Sequence, residues 1–301
     1  MIVLHIGAPK TASTLVQTVL HDFRHALAGI GITVPSSGLR RDGGHVGFRE
    51  TLRSGSGGDP ELAALRRDYT RAFASEQAIV LSCEQLWTVP PEHVLRIYPG
   101  LAGARIVFYA RWQPDMILSH FFQKVSGAGE SRSLVRFAEE ERHQYDFHLV
   151  ATQWEKAFGS GSVLPRVFEH NPGHHGIAID ALLGFAEALR LDEDARARIA
   201  ALPIDPKQRA NARGHDFPNL LRLFANRNLD EASAADVMDA AMRDPALCDG
   251  LDIERLPLTS GFERALVERY DVSNRRFAAE FLSRTGFGID AWAGRKGSPA
   301  S

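Results

Sequence analysis

The chain has 301 residues, 44% of them hydrophobic, and its 35 basic and 37 acidic side chains leave a formal net charge of -2. This balance excludes a global electrostatic attraction to nucleic acid or to an anionic membrane, so any anion site must be local. Two cysteines, Cys83 and Cys248, do not form a disulfide framework or a metal motif, which favours a reduced, cytoplasmic setting. We expect neither a signal peptide nor a membrane span, because no basic leader and no apolar run of about 20 residues is present.

Short apolar runs alternate with helical periodicities in chain order. Strands are predicted at residues 2–6, 78–82, 105–109 and 162–164, with residues 31–34 as a further candidate. Helices are predicted from about residue 12, where Leu15, Val19 and Leu20 recur at helical spacing, and over residues 60–75, 115–125 and 134–158. The alternation predicts an α/β fold: a three-layer, mostly parallel sheet with helices on both faces.

Two further regions complete the predicted organisation. Residues 36–60 are rich in Gly, Ser and Arg without a clear period, which predicts a long loop of the kind that often covers a site. Residues 176–301 are mostly helical in pattern. We therefore predict one domain over residues 1–301, with an α/β nucleotide-binding core in 1–175 and a helical extension or cap in 176–301. The helical portion is also a candidate homodimer surface.

A polar turn follows the first predicted strand and precedes the first predicted helix. It reads Gly7-Ala8-Pro9-Lys10-Thr11-Ala12-Ser13-Thr14. Such a turn directs free backbone N–H groups and the positive end of the helix dipole at one point. Lys10 adds a full positive charge, and Thr11, Ser13 and Thr14 add hydroxyl donors. The turn therefore predicts a site for a phosphate or sulfate group.

This turn differs from the usual nucleoside-triphosphate loop, G-x-x-x-x-G-K-[ST], because Pro9 stands before Lys10 and Gly7 lies only three residues away. It resembles the first nucleotide loop of the sulfotransferases that use 3'-phosphoadenosine 5'-phosphosulfate (PAPS), P-K-[TS]-G-[TS]-[TS]. The resemblance covers Pro9, Lys10, Thr11, Ser13 and Thr14, and Ala12 departs from it where the family usually has glycine. It implies the P-loop-like fold of bacterial sulfotransferases, PAPS as co-substrate and 3'-phosphoadenosine 5'-phosphate (PAP) as product.

A second stretch resembles the family motif for the 3'-phosphate, R-[ND]-P-x-[DE]-x-x-x-S-x-[YF]. Arg111, Pro114, Asp115, Ser119 and Phe121 fall in register with it. The resemblance implies that Arg111 and Ser119 share one phosphate, which suits a forked guanidinium and a hydroxyl. A C-terminal Arg295-Lys296-Gly297 resembles a third family element, but the glycine-rich continuation is missing and a solvated tail is the simpler interpretation.

The resemblance also implies the catalytic roles. Lys10 is placed to neutralise the charge on the oxygen that bridges phosphate and sulfate as the bond to sulfur breaks, and Ser13 and Thr14 are placed to donate to the transition state. The acceptor needs a general base. Glu84, in a Leu81-Ser82-Cys83-Glu84 segment similar to the bacterial family's L-S-x-E, is the first candidate, and His45 in the Gly-rich loop is the second. No metal is expected, because Glu169-His170 and His174-His175 lie in a Pro/Gly segment without further ligands.

Three functions remain open on the sequence. The first is metal-independent sulfuryl transfer from PAPS to a hydroxyl or amine of a small molecule, lipid or carbohydrate. The second is a P-loop kinase for a small molecule, which would need a triphosphate loop and a magnesium ligand. The third is a catalytically inactive PAP- or PAPS-binding protein, which Ala12 and the choice between two candidate bases keep open.

Overall fold

The computed structural model describes residues 1–53, 59–168, 176–205, 217–230, 233, 236 and 260–282. Its strands are β1 (Ile2–His5), β2 (Ile32–Thr33), β3 (Ala78–Ser82), β4 (Arg105–Val107), β5 (Tyr109–Ala110) and β6 (Arg166–Val167). These are short, mostly buried runs, as expected for strands that are covered by other elements. The predicted strands at residues 2–6, 78–82 and 105–109 are confirmed within a residue or two.

The strands pair in parallel, which brings their carboxyl ends to one edge. Four of them form a sheet in the order β2-β3-β1-β4, with His5 opposite Ser82 and opposite Val107. β5 and β6 form a second parallel pair, and the N–H of Arg166 donates to the carbonyl of Phe108 at 2.8 Å. A parallel sheet with helical connections places ligand sites beyond these carboxyl ends.

The helices, in chain order, are α1 (Ser13–Asp22), α2 (Arg24–Gly29), α3 (Val46–Arg53), α4 (Pro60–Phe73), α5 (Pro91–Ile97), α6 (Gln113–Ala128), α7 (Leu134–Glu140), α8 (Phe147–Phe158), α9 (Gly176–Ala188), α10 (Glu193–Ala200), α11 (Phe217–Asn228) and α12 (Ser260–Phe281). Short 3₁₀ helices cover Glu84–Thr88, Pro99–Leu101 and Arg142–Tyr145. In the described part of the chain, no helix is both long enough and apolar enough to span a membrane.

The main apolar cluster joins one face of the sheet to two helices. Val3, Val80 and Val107 come from neighbouring strands and lie in one cluster with residues of α1 and α9, such as Leu20 and Phe185. Alternate strand residues point to opposite faces. Phe108 follows Val107 and accordingly makes contacts outside this cluster. The centroid of its ring lies 5.2 Å from that of Trp87 and 6.0 Å from that of Phe277 of α12. The mixed α/β class is confirmed, whereas the count of three layers stays a prediction.

The chain divides into two compact units. The first contains residues 1–111, 146–210 and 273–301, and therefore all six strands. The second contains residues 112–145 and 211–272. In this second unit, His120 and Tyr145 are buried and joined by a 2.8 Å hydrogen bond, and Arg132 forms ion pairs with Glu130, Glu140 and Glu141. The predicted boundary near residue 175 within a single domain stays a prediction.

Residues 36–60, predicted as a loop, contain the helix α3. Phe48, Thr51 and Leu52 recur at i, i+3 and i+4 and are all buried. The ring of Phe48 stacks on Tyr98 at 4.9 Å and meets the edge of Tyr69 at 5.1 Å. The loop prediction was wrong over 46–53 because the apolar period covers only two turns and the glycines around it obscure it.

The predicted helix over residues 134–158 is two helices. α7 ends at Glu140, and α8 starts afresh because the Asp146 side chain accepts from the N–H of Leu149 at 2.9 Å. The predicted strand at residues 162–164 is also displaced, since Val163 makes an isolated bridge to Ile106 and the strand β6 comes slightly later.

Candidate active site

The turn between β1 and α1 is held in an unusual backbone conformation. Lys10 and Ala12 have positive φ angles of 62° and 61°, in the left-handed region that favours glycine. The hydroxyl of Thr11 is buried and donates to the carbonyl of Ala8 at 2.7 Å. That bond uses the Thr11 hydroxyl to stabilise the turn, and its predicted role as a donor to an anion stays a prediction.

The start of α1 suits a negative charge. Among the described residues no side chain caps this helix, and its first turn contains no acidic residue. The early N–H groups of a helix have no partner within the helix, and together with the dipole they attract anions. Ser13 and Thr14 occupy this first turn, directly after Lys10, Thr11 and Ala12.

Gly7 allows Glu84 to lie against the turn. A Cβ atom at Gly7 would lie 2.7 Å from Ser13 Oγ and 2.9 Å from Glu84 Cα, so only glycine permits this contact. Glu84 follows β3 and begins a 3₁₀ helix, and β3 is the sheet neighbour of β1. The structure thus brings together Lys10, Ser13 and Glu84, which the sequence placed on two separate segments.

The carboxyl group of Glu84 has a shifted pKa. Burial raises its pKa, and the positive charge of Lys10 acts in the opposite direction. A raised carboxyl pKa brings proton affinity closer to that required near neutral pH. The ammonium group of Lys10 and the carboxyl group of Glu84 are therefore close enough to interact electrostatically.

His45, the second candidate base, is held by backbone groups on both ring nitrogens. The N–H of Ser82 donates to Nδ1 at 3.1 Å, and Nε2 lies 2.9 Å from the carbonyl oxygen of Pro35. The ring is fully buried, and burial lowers its pKa to about 4. Because both nitrogens are engaged and the ring meets no solvent, the geometry favours Glu84 over His45 as the base.

Arg111 reaches the same turn from the carboxyl end of β5. Its Nη1 donates to the carbonyl oxygen of Lys10 at 2.7 Å, and its guanidinium lies 5.3 Å from the ring centroid of Phe168. The sequence motifs assign two different phosphate sites to Lys10 and Arg111, an assignment that stays a prediction. The structure joins them directly, since both residues leave the same edge of the parallel strands.

Ser119, the predicted partner of Arg111, lies half-buried on α6. It belongs to the second compact unit, whereas Arg111 is the last residue of the first unit before α6. The shared use of the two side chains stays a prediction. Pro114 is in the first turn of α6, as the motif requires.

The remaining predictions concern a possible metal site and the C-terminal segment. Glu169, His170, His174 and His175 are outside the described part of the chain, as is the segment 295–297. Among the residues that are described, no group of three or more His, Cys, Asp or Glu side chains could hold a metal ion.

Phe168, His5 and Ser82 lie near the site and were not identified as site residues from the sequence. Phe168 lies against the guanidinium of Arg111. The Nδ1 atom of His5 lies 2.8 Å from the hydroxyl oxygen of Ser82. For His5 and Ser82 the sequence did contain a signal, because each is the polar last residue of an otherwise apolar strand, β1 or β3. Such residues sit at the edge where ligands bind.

No protein-family model matches the chain, and no curated protein is significantly similar to it. Among solved structures, a sulfotransferase from Alicyclobacillus acidocaldarius is similar over 77% of this chain and 98% of its own, at 16% sequence identity and a TM-score of 0.42. Similarity at this level does not assign the chain to a family, so a functional assignment has to come from the residues of the site.

Proposed function

We propose that this chain is a sulfotransferase that moves a sulfuryl group from PAPS to a hydroxyl or amine acceptor. One observation carries the proposal: anion-binding groups and a carboxyl group meet at a single turn. The turn contains Lys10 and the start of α1, its Gly7 contacts Glu84, and Arg111 donates a hydrogen bond to its main chain. A nucleotide phosphosulfate needs concentrated donors and positive charge, and an acceptor needs a base beside them.

The proposal assigns the phosphosulfate to the turn. The N–H groups at the start of α1 and the hydroxyls of Ser13 and Thr14 donate to its oxygens, and Lys10 compensates its charge. Arg111, anchored by the Lys10 carbonyl, provides a second cation at the same edge for the other end of the nucleotide. On the sequence motif, the proposal also assigns Arg111 and Ser119 to the 3'-phosphate.

In the proposed reaction the acceptor oxygen or nitrogen attacks the sulfur atom in line with the bridging oxygen. The new bond to sulfur forms as the bond from sulfur to the bridging oxygen breaks, and PAP leaves with the electron pair. The acceptor proton passes to the Glu84 carboxylate, while Lys10 stabilises the charge that develops on the bridging oxygen. Side chains supply all of this charge, so the proposal requires no metal.

Glu84 must be ionised to accept the proton. Because burial raises its pKa, protonation at mildly acidic pH removes the base at a higher pH than for an exposed carboxyl group. The acceptor belongs to the broad class of hydroxyl- or amine-bearing small molecules, lipids and carbohydrates.

The proposal is tested by thermal unfolding with candidate nucleotides. We expect PAP to raise the melting temperature, because a ligand at about a hundred times its dissociation constant adds about 2.7 kcal/mol of stability. Stabilisation by ATP with magnesium, without any by PAP, would instead indicate a kinase.

Two variants make the test specific. Arg111→Lys should weaken PAP binding by about tenfold or more, since a point charge replaces the guanidinium fork. The matched control is Arg105→Lys, because Arg105 bonds the Gly161 carbonyl at the far end of the same stretch of chain.

Glu84→Gln should keep PAP binding and lose transfer of label from PAPS to acceptors in a cell extract. Unchanged transfer by this variant would rule out Glu84 as the base.

A further inference from the structure

His5 is a polar residue in a place that suits an apolar one. Its chain neighbours Val3, Leu4 and Ile6 are apolar and buried, and the His5 ring itself has no solvent exposure. The ring lies 5.5 Å from that of Phe185, in the apolar cluster. Within the described residues its Nε2 atom has no hydrogen-bond partner. An unsatisfied buried polar atom typically costs about 1–3 kcal/mol, so stability alone does not explain a histidine here.

The other ring nitrogen makes one specific contact. His5 Nδ1 lies 2.8 Å from Ser82 Oγ, and the two residues are register partners on the adjacent strands β1 and β3. The N–H of Cys83 also donates to the His5 carbonyl at 3.0 Å. His5 therefore joins the ends of the two strands through a side-chain bond in addition to the regular backbone ladder.

These strand ends lead directly into the proposed site. Gly7 follows His5 by two residues, and Glu84 follows Ser82 by two residues, and Gly7 and Glu84 are in contact. The main chain of Ser82 is also held from the other side, since the N–H of His45 donates to its carbonyl at 2.7 Å. Ser82 thus has its side chain fixed by His5 and its main chain fixed by His45.

We propose that His5 is a positioning residue, which acts through Ser82 to hold Glu84 against the Lys10 turn. A catalytic group that moves by about 1 Å can cost about a hundredfold in rate, so a second tie between the two strand ends has a direct value for catalysis. The catalytic meaning of this inference rests on the proposed function, whereas the placement of Glu84 can be judged without any nucleotide.

The first test follows the ionisation of Glu84 by carboxyl-carbon NMR, with Glu84→Gln to assign the signal. In His5→Leu and Ser82→Ala, the Glu84 side chain should gain solvent, and its pKa should fall towards that of an exposed carboxyl. His5→Asn should restore much of the wild-type pKa, because the asparagine amide can replace Nδ1 in the bond to Ser82. An unchanged pKa in both His5→Leu and Ser82→Ala would overturn the inference.

His120→Leu is the matched control for this titration. His120 is also buried, and its Nδ1 lies 2.8 Å from the Tyr145 hydroxyl, but it belongs to the second compact unit. Its loss should leave the Glu84 pKa unchanged. A similar fall in this variant would show a general response to the loss of a buried histidine and would contradict the specific role of His5.

The second test separates positioning from stability. His5→Leu should lower kcat about tenfold to a hundredfold with little change in KM for PAPS, while its resistance to urea stays equal to or above that of the wild type. His5→Asn should recover most of the lost kcat. A wild-type kcat in His5→Leu would overturn the inference. If the wild-type protein binds no PAP, the proposed function fails, and the titration still decides whether His5 places Glu84.

Discussion

At the scale of single residues, the turn after β1 stores backbone strain. Ala12 has φ and ψ angles of 61° and 24°, and its side chain packs against the main apolar cluster. For an L-residue the left-handed conformation costs about 1–2 kcal/mol, a cost that glycine does not bear. Strain of this kind concentrates at binding sites, where surrounding contacts hold the backbone in place.

Ala12→Gly should therefore stabilise the protein by about 1 kcal/mol, because relief of left-handed strain exceeds the extra entropy that glycine loses on folding. Urea unfolding measures the difference. The control is Ala74→Gly at the end of α4, where φ is -84° and the residue is right-handed. That variant should lose stability, and a loss of stability in Ala12→Gly as well would show that the turn is not strained.

At the scale of elements, Arg166 joins β6 to α9. Its Nη2 and Nε donate to the two oxygens of Asp180 at 2.6 and 3.1 Å, and the Tyr109 hydroxyl donates to the same carboxylate at 2.5 Å. The Arg166 stem crosses the helix at Gly184, where a Cβ atom would lie 2.6 Å from Arg166 Cδ. Bidentate pairs of this kind fix geometry as well as charge.

Gly184→Ala should destabilise the protein by about 1–3 kcal/mol, since the added methyl group displaces Arg166 from Asp180. Denaturant midpoints at constant slope report the change. Gly127→Ala in α6 is the control, because in the described part of the chain a Cβ there would meet no atom within 4 Å outside its own helix. It should gain about 0.5–1 kcal/mol from helix propensity. Equal behaviour of the two variants would contradict close packing at Gly184.

At the scale of the whole molecule, two fully buried histidines make stability depend on pH. Burial lowers the pKa of both His5 and His45 from 6.5 to about 4. Between these values the unfolded chain binds more protons than the folded one, so the free energy of unfolding rises with pH. Glu84 acts in the opposite sense, since its folded pKa is raised, but it is one group against two.

We expect the free energy of unfolding to fall as the pH drops from about 6.5 towards 4. The largest loss is about 3 kcal/mol for each buried histidine. Urea titrations at several pH values measure the slope. His45→Gln should reduce the slope, because it removes one of the two imidazoles whose pKa is lowered by burial. A flat profile between pH 5 and 6.5 in the wild type would contradict the burial of neutral histidines.

The strongest predictions from the sequence concern local patterns. The apolar runs at residues 2–6 and 78–82 and the helix after Ala12 are confirmed, because each has its full signal within a few adjacent residues. The helix α3 was missed because its signal covers only two turns. Likewise, the break between α7 and α8 depends on a single cap at Asp146, which is too small a signal to interrupt a long helical period.

The sequence by itself determined the α/β class and the polar turn around Lys10, since strand period, helix period and turn chemistry are all local properties. Only the tertiary structure decided which distant residues meet. The parallel pairing of β1 with β3 brings Glu84 to the turn, and the pairing of β1 with β4 lets Arg111 bond the Lys10 carbonyl. Such contacts depend on strand order, which arises from the packing of the whole sheet and leaves no period in the chain.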